Sequence, residues 1–531
     1  MQREMGVLKA AVFTLAAALL AGCAPSPHPQ QTKACDLPAI QKPKEPLRHY
    51  LHKTDRPLTA GKSAFYPLPL PKDALAARLF LIDHATESLD VQYYIYETDT
   101  IGHLIAYHLY MAAERGVKVR ILLDDISTTG KDKAIATLAQ HPNIELKLFN
   151  PNRLRKSFRN LALLLDVNRL GKRMHNKALI ADHIAAIIGG RNIGDVYYAS
   201  SEETLFLDYD VITIGRLVPQ LEKAFSLYWN SEVSVDAGEV IDINDKNSPV
   251  RASCILENSI ERFKHSIIGH EVYHNSILKK LQQGSLTFTV AKRTDLFYDH
   301  PQKVLTDENN NTYHISTQVD EALKKVEREL IIISPYFIPS DKILARFKHL
   351  RQKGVDITVI TNSLASTDVF PVYGGYVDSI KPLVAMGVHL YELKPSVLKR
   401  LKKQKGLDHV PALSLHTKLI FADDSRMVIG SANIDPRSEK LNTELVVFVS
   451  CKKLAKEEKA LVKQVLKQEN FYKLSYGLYP KSVYNDTAFY GPIWKTKEKG
   501  KTKIYYGPPH SGFWKRIGAD LIRLLPVKGY L

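Results

Sequence analysis

Cysteine is scarce, with four in 531 residues, and that excludes a fold built on a disulfide framework. No apolar run reaches the roughly 20 residues that a bilayer-spanning helix needs. The nearest, Ala10 to Leu20, is short and broken by Thr14. There is no Walker-type phosphate loop and no paired CxxC, so neither of those nucleotide or zinc chemistries has its motif here. Acidic residues are too few to balance the basic ones: 56 Asp+Glu face 73 Lys+Arg, a net charge of +17. Such a chain seeks an anionic partner, nucleic acid or a phospholipid surface, and charge alone does not choose between them. The remaining composition, 45% hydrophobic and 24% charged, is that of a folded chain and excludes disorder. Length suggests two or three domains.

The N-terminus reads as an export signal over residues 1–22, with Arg3 and Lys9 ahead of a short apolar stretch. It ends in Leu20-Ala21-Gly22-Cys23, which resembles the lipobox of bacterial lipoproteins, where the cysteine is lipidated. Plain secretion with an incidental cysteine is the alternative. The expected location is the bacterial cell envelope, lipid-anchored through Cys23 on the periplasmic side, with inner or outer membrane open. Cys35, Cys254 and Cys451 then leave room for one disulfide at most. Residues 23–58 are rich in proline and read as a tether. Residues 481–531 read as a basic, aromatic tail. Within it, Trp514, Ile517, Leu521, Leu524 and Leu525 fall at near-helical spacing beside Lys515, Arg516 and Arg523. That pattern suits a membrane interface, or a terminal helix docked on the core.

Between these ends the chain repeats itself. Leu89–Ile95, an amphipathic stretch, Gly116 and Val117–Leu122 follow the same order as Leu330–Ser334, an amphipathic stretch, Gly354 and Val355–Ile360. Apolar strand, helix, glycine cap and apolar strand spell a βαβ unit twice. The sequence therefore predicts two duplicated α/β domains, 59–250 and 251–480, related by a pseudo-twofold axis with the site at their interface.

Each repeat carries the same polar constellation. The first is His175-Asn176-Lys177, Asp182 and Gly189-Gly190-Arg191-Asn192; the second is His416-Thr417-Lys418, Asp423 and Gly430-Ser431-Ala432-Asn433. A lone HxK means nothing, but two full copies in one register are specific. In extended chain, His and Lys two residues apart share a face. Facing repeats would bring two histidines, two lysines and two asparagines to one pocket suited to a phosphodiester. Ammonium and amide groups hold phosphoryl oxygens. A neutral histidine attacks phosphorus, while a protonated one gives its proton to the leaving alcohol.

The paired HxKxxxxD resembles the signature of the phospholipase D superfamily. Over about residues 60–475, the chain is most similar to bacterial cardiolipin synthases of the lipoprotein-like C type, on the segment Arg173–Tyr198 and the ending Leu525-Pro526 to Leu531. The resemblance implies a two-step phosphatidyltransferase that makes cardiolipin from phosphatidylglycerol and a second phospholipid, with no metal and no cofactor. It makes His175 the nucleophile and His416 the general acid, then base. Lys177, Lys418, Asn192 and Asn433 would bind the phosphoryl group. Asp182 and Asp423 complete the catalytic motifs, with an orienting and supporting part. It also implies an acid behind each histidine, with Asp208 and Glu444 the candidates and Asp210 the runner-up to Asp208. Hydrolysis to phosphatidic acid is the alternative outcome of the same motif. A superfamily nuclease and a silent envelope binder are further readings, opposed by the export signal and by two intact motifs; no nucleic-acid partner is expected. The expected partners are phospholipids and an anionic membrane surface, with a helper protein left open.

Two more features stand outside the motif. Basic segments precede each one, with Arg153, Arg155, Lys156, Arg159, Arg169, Lys172 and Arg173 before the first and Lys399, Arg400, Lys402, Lys403 and Lys405 before the second. These either dock the site on anionic lipid or form solvated loops. His270-Glu271-Val272-Tyr273-His274 matches the zinc pattern HExxH but lacks a third ligand after it, and no metal is expected there.

Overall fold

The computed structural model describes residues 43, 45–55, 61–152, 155, 166–200, 204–243, 257–397, 412–466, 469–480, 489–498 and 500–525. The signal segment with Cys23, Cys35, Cys254, most of the tether and most of both basic segments lie outside the described residues.

Two mixed sheets carry the repeat. Both have parallel strands at their centre: Ser88–Tyr93, Lys118–Asp124 and Ile144–Phe149 in one, Glu329–Ile333, Asp356–Asn362 and His389–Leu393 in the other. In each, an antiparallel hairpin from the HxK motif adds to the first of these strands: Ala178–Ala181 with Ala185–Gly189, and Leu419–Ala422 with Arg426–Gly430. The strand Asp210–Gly215, or Leu445–Ser450, follows in the same place. Ser63–Leu68 and Arg293–Tyr298 continue the two sheets in turn. The duplication read from sequence is thus a duplication of strand order, in two α/β halves.

The strand period of two divides each motif hairpin between two cores. In Ala178–Ala181, Leu179 and Ala181 join the helix-covered core of their own half, while Ala178 and Ile180 turn to a cluster shared by both halves. Leu419 and Phe421 of the second half enter that shared cluster beside Ile429 and Val447. Burying this apolar surface is what fixes the halves face to face.

Two boundaries differ from those expected. Residues 257–290, beyond the expected limit at 250, belong spatially to the first half. The helices Ile267–Tyr273 and Ser276–Gln282 pack on the helix Pro71–His84, and Thr289–Val290 pairs with Ser63–Leu68. The C-terminal part is not a loose tail either. The strands Tyr490–Glu498 and Lys501–Tyr505 extend the second sheet beyond Phe471–Leu478. The helix Phe513–Leu524 then packs on Phe370–Ala385. A Cβ on Gly374 would meet the Ala519 carbonyl at 2.6 Å, so glycine is what lets the two helices approach. This helix is docked on the core, one of the two expected readings, and keeps part of its apolar surface exposed. Ala519 and Ile522 are buried, whereas Phe513 is 68%, Trp514 80% and Leu524 81% exposed.

Candidate active site

The two histidines enter the site in extended chain just ahead of their strands, and each is held by the opposite half. His175 N donates to Thr443 O at 2.9 Å, and His416 N donates to Leu207 O at 2.7 Å. The next residue after each acceptor is an acid, and so each half delivers a carboxylate to the other half's imidazole. Glu444 lies 2.9 Å from His175 Nδ1, and Asp208 lies 2.5 Å from His416 Nδ1. The pairing is crossed between the repeats. With Nδ1 engaged, Nε2 of each ring is left to face a substrate.

The residue before each histidine is anchored from its own sheet. Asp124 accepts from Met174 N at 2.7 Å, and Asn362 accepts from Leu415 N at 2.9 Å. Both are the last residue of a matched central strand. Sequence reasoning passed over them, although the register that links Gly116 to Gly354 also links Asp124 to Asn362. Asp299, which accepts from Glu444 N at 2.8 Å, has no counterpart signal in the sequence.

Lys177 Nζ donates to His175 O, and Lys418 Nζ to His416 O, both at 2.6 Å. Each ammonium folds back beside its own histidine with donors to spare. Asn192 Oδ1 accepts from Ile95 N at 3.2 Å and its Nδ2 donates to Tyr197 Oη at 2.8 Å, which spends part of the amide on support. Asn433 Oδ1 has no partner among the described residues.

Asp182 and Asp423 are not at the reacting centre. Asp182 accepts from Thr86 N and Glu87 N at 2.8 Å and from Ser88 N at 3.0 Å. Asp423 accepts from Arg328 N at 2.8 Å and pairs with Arg426. Both lie at hairpin turns with left-handed φ, 51° and 57°, a conformation aspartate tolerates. They stitch the turn to the start of the neighbouring strand, so placing them among the catalytic residues is corrected to a supporting part. Asp210 is also no partner of a histidine: it is buried against Arg78 at 2.9 Å and Arg191 at 3.3 Å.

The glycine-bearing segments serve the acids. A Cβ at Gly190 would sit 2.2 Å from Asp208 Oδ1, so only glycine admits that carboxylate. The matched Ser431 instead donates its hydroxyl to Glu444, as does Ser438 at 2.9 Å.

These surroundings make the two histidines electrostatically unequal. Burial, with Lys177, Lys418 and His416 adding to it, drives His175 well below the ordinary histidine range. Burial and Lys418 lower His416 too, but less, because Asp208 opposes them. Burial pushes Glu444 up to about 7. It also pushes Asp208 up, but His416, Lys418 and Arg191 outweigh it and hold that carboxyl low. Burial brings Lys177 down to about 7. His175 is therefore the more readily neutral ring, and His416 with anionic Asp208 the better proton carrier.

Of the basic residues described ahead of the first motif, the side chains of Arg155 and Arg173 are buried and that of Arg169 is half-exposed, and all three are paired. Arg155 pairs with Asp125 and Asp132, Arg169 with Asp166, and Arg173 with Asp124. The HExxH stretch lies on Ile267–Tyr273, where Glu271 pairs with Lys72. Among the described residues, no cluster of three or more His, Cys, Asp or Glu could hold a metal. Cys451 is a buried free thiol on Val290 O.

Comparison with known proteins agrees with this geometry. The family described as "Cardiolipin synthase, PLD-like domain" matches residues 79–229 and 319–466. Cardiolipin synthase C of Escherichia coli K12 is 34% identical over 89% of this chain and 97% of its own length. A cardiolipin synthase of Staphylococcus aureus is 24% identical over 71% of this chain and 62% of its own. The crystal structure of phosphatidylserine synthase from Haemophilus influenzae Rd KW20 shares the fold at 12% identity and a TM-score of 0.52, over 80% of this chain and 91% of that one. Two motif copies, their crossed acids and the matching family domains agree: the chain belongs to the cardiolipin synthase, PLD-like family.

Proposed function

We propose that this protein is a phospholipid phosphatidyltransferase that makes cardiolipin from phosphatidylglycerol and a second phospholipid through a phosphohistidine, without a metal. The observation that carries the reading is the crossed, unequal pair His175–Glu444 and His416–Asp208 in one buried site. His175 Nε2 attacks phosphorus, and an N–P bond forms as the bond to the leaving alcohol oxygen breaks. His416 supplies the proton that this oxygen takes up. In the second step His416 removes the proton of the incoming lipid alcohol, whose oxygen displaces His175. Lys177 and Lys418 hold the phosphoryl oxygens as negative charge builds, aided by the amide groups of Asn192 and Asn433.

The lipid surface is met, on this reading, by the exposed Phe513, Trp514 and Leu524 beside Lys515 and Arg516. Lys515 bonds Thr367 O at 3.3 Å, next to Asp368, which accepts from Tyr336 Oη at 2.7 Å. The Tyr336 ring is 6.5 Å from that of His416, so the exposed aromatic helix borders the site. The lipobox at Cys23 supports an envelope location with a lipid anchor.

The test is mass spectrometry of lipids after the purified protein meets liposomes of headgroup-labelled phosphatidylglycerol and phosphatidylethanolamine, with EDTA present. Label in cardiolipin is the expected result, and the released alcohol names the donor. Phosphatidic acid alone would assign a hydrolytic phospholipase D instead. Activity abolished by EDTA would overturn the metal-free mechanism.

A further inference from the structure

One place in the fold breaks the twofold equivalence of the halves. In the first half, the space between the sheet and the helix Pro71–His84 is filled by large polar side chains. Arg78, Tyr93, Arg191, Tyr198 and Asp210 are all buried there. Arg78 bonds Asp210 and Tyr93 and lies 5.5 Å from the Tyr198 ring.

The register that carries His175 onto His416 carries Arg78 onto Val319, Tyr93 onto Ser334, Arg191 onto Ala432 and Tyr198 onto Glu439. That register is held at both ends of the matched strand that follows the helix. Glu87 N and Ser88 N bond Asp182 just as Arg328 N and Glu329 N bond Asp423, and the bridge Tyr96–Ile193 is matched by Phe337–Ile434. Strand pairing sets the fifth position, because Gly189 faces Asp210 where Gly430 faces Val446. Four of the five large groups are replaced by a valine, a serine, an alanine and a second valine, and the second half is hollow at that point.

The hollow is a narrow slot, and all five replacement residues line it. One end reaches Lys418, Asn433 and Glu444 of the active site. Ile315, Ile332, Ile338 and Ile343 also line it, with Ser340 and Lys342 at the start of the helix Asp341–Gln352. Two polar atoms along it, Asn433 Oδ1 and Ser340 Oγ, have no partner among the described residues.

We propose that this slot receives one acyl chain of the phosphatidyl group under transfer, a specificity element built by hollowing out one copy of the duplicated fold. The inference rests on the phosphatidyltransferase reading. A phosphate held between Lys177 and Lys418 lies deep in the protein, so its lipid must leave the bilayer by several methylenes. Each methylene drawn into water is costly; a slot that begins at the phosphate site and whose exposed wall is mainly aliphatic offsets that cost, with Asp320, Lys342 and Glu439 also in its lining. The first half, with charge in the same space, offers no such path, so the second chain stays in the membrane.

The experiment measures cardiolipin formation from phosphatidylglycerols with chains of 6 to 18 carbons, in mixed micelles, for the wild type and for Val319→Trp and Ile343→Trp. Both substitutions fall at half-buried positions and narrow the slot away from the catalytic groups. The expected result is a loss on long chains about tenfold greater than on short ones. An unchanged chain-length profile in two active variants overturns the slot while leaving the transfer reading intact. Wild-type protein that turns over no phosphatidylglycerol of any length overturns the transfer reading itself. If both variants fail to fold, wild-type protein with phosphatidylglycerol bearing a diazirine at the chain end decides. Labelling at Ile315, Val319, Ile338 or Ile343 supports the slot, and labelling confined to Phe513–Leu524 refutes it.

Discussion

The two halves share strand order, hairpins and turn aspartates, and they differ in what fills them. At one histidine, a glutamate raised to about 7 by burial takes hydroxyl hydrogen bonds from Ser431 and Ser438. At the other, glycine admits a carboxylate that its cationic neighbours keep ionised. One half is packed with Arg78 and Asp210, and the other is open from Val319 to Val446. A duplicated backbone thus supplies two equivalent positions, and side-chain packing and charge give them different chemistry.

That inequality can be broken first at the rings. On the proposed mechanism His175→Ala removes the nucleophile, and it is expected to cut kcat by about 10⁴–10⁶-fold on every donor. His416→Ala should cost about 10²–10⁴-fold on a natural lipid and far less on a nitrophenyl phosphodiester, whose leaving group needs no proton. Steady-state rates on the two donors check this. Equal losses for both variants on both donors would make the histidines interchangeable.

The next largest effect is expected on stability. Asp210→Ala strands Arg78 and Arg191 in a buried site and should cost about 3–5 kcal/mol in urea unfolding. Val446→Ala at the equivalent place should cost only about 1–2 kcal/mol. Comparable costs would mean that the two interiors are packed alike.

Charge at the acids sharpens the comparison further. Anionic Asp208 raises the pKa of His416, so Asp208→Asn lowers it and the imidazolium gives up its proton at lower pH. The alkaline limb of kcat/KM should therefore move to lower pH, while Glu444→Gln leaves that limb in place. A pH profile of both variants reads this directly. If the exposed helix Phe513–Leu524 meets lipid as proposed, Trp514→Ala should weaken binding to phosphatidylglycerol vesicles by roughly three- to tenfold in a flotation assay, with rates on a soluble donor unaffected.

Much of this was legible in the chain because it is local and repeated. His175, Lys177, Asp182 and Asn192 recur at identical spacing as His416, Lys418, Asp423 and Asn433, and the apolar runs Ala178–Ile180 and Leu419–Phe421 mark strands. Asp124 and Asn362 were within reach of the same register. The HExxH stretch shows the opposite case, a short pattern whose glutamate is an ordinary surface partner of Lys72. The segment 257–290 carries no mark of which sheet it joins, since Thr289–Val290 forms a strand only by pairing with Ser63–Leu68.

The sequence by itself determined the two motifs, the duplicated α/β scheme and the set of acids from which the histidines draw partners. Hydrophobic period and residue identity are properties of neighbours along the chain. Only the tertiary structure decided that Glu444 serves His175 and Asp208 serves His416, that Asp182 and Asp423 tie turns to strands, and that one half is filled where the other is hollow. Each of those depends on groups far apart in sequence but brought within hydrogen-bond or van der Waals distance when the shared apolar faces of the two sheets are buried together.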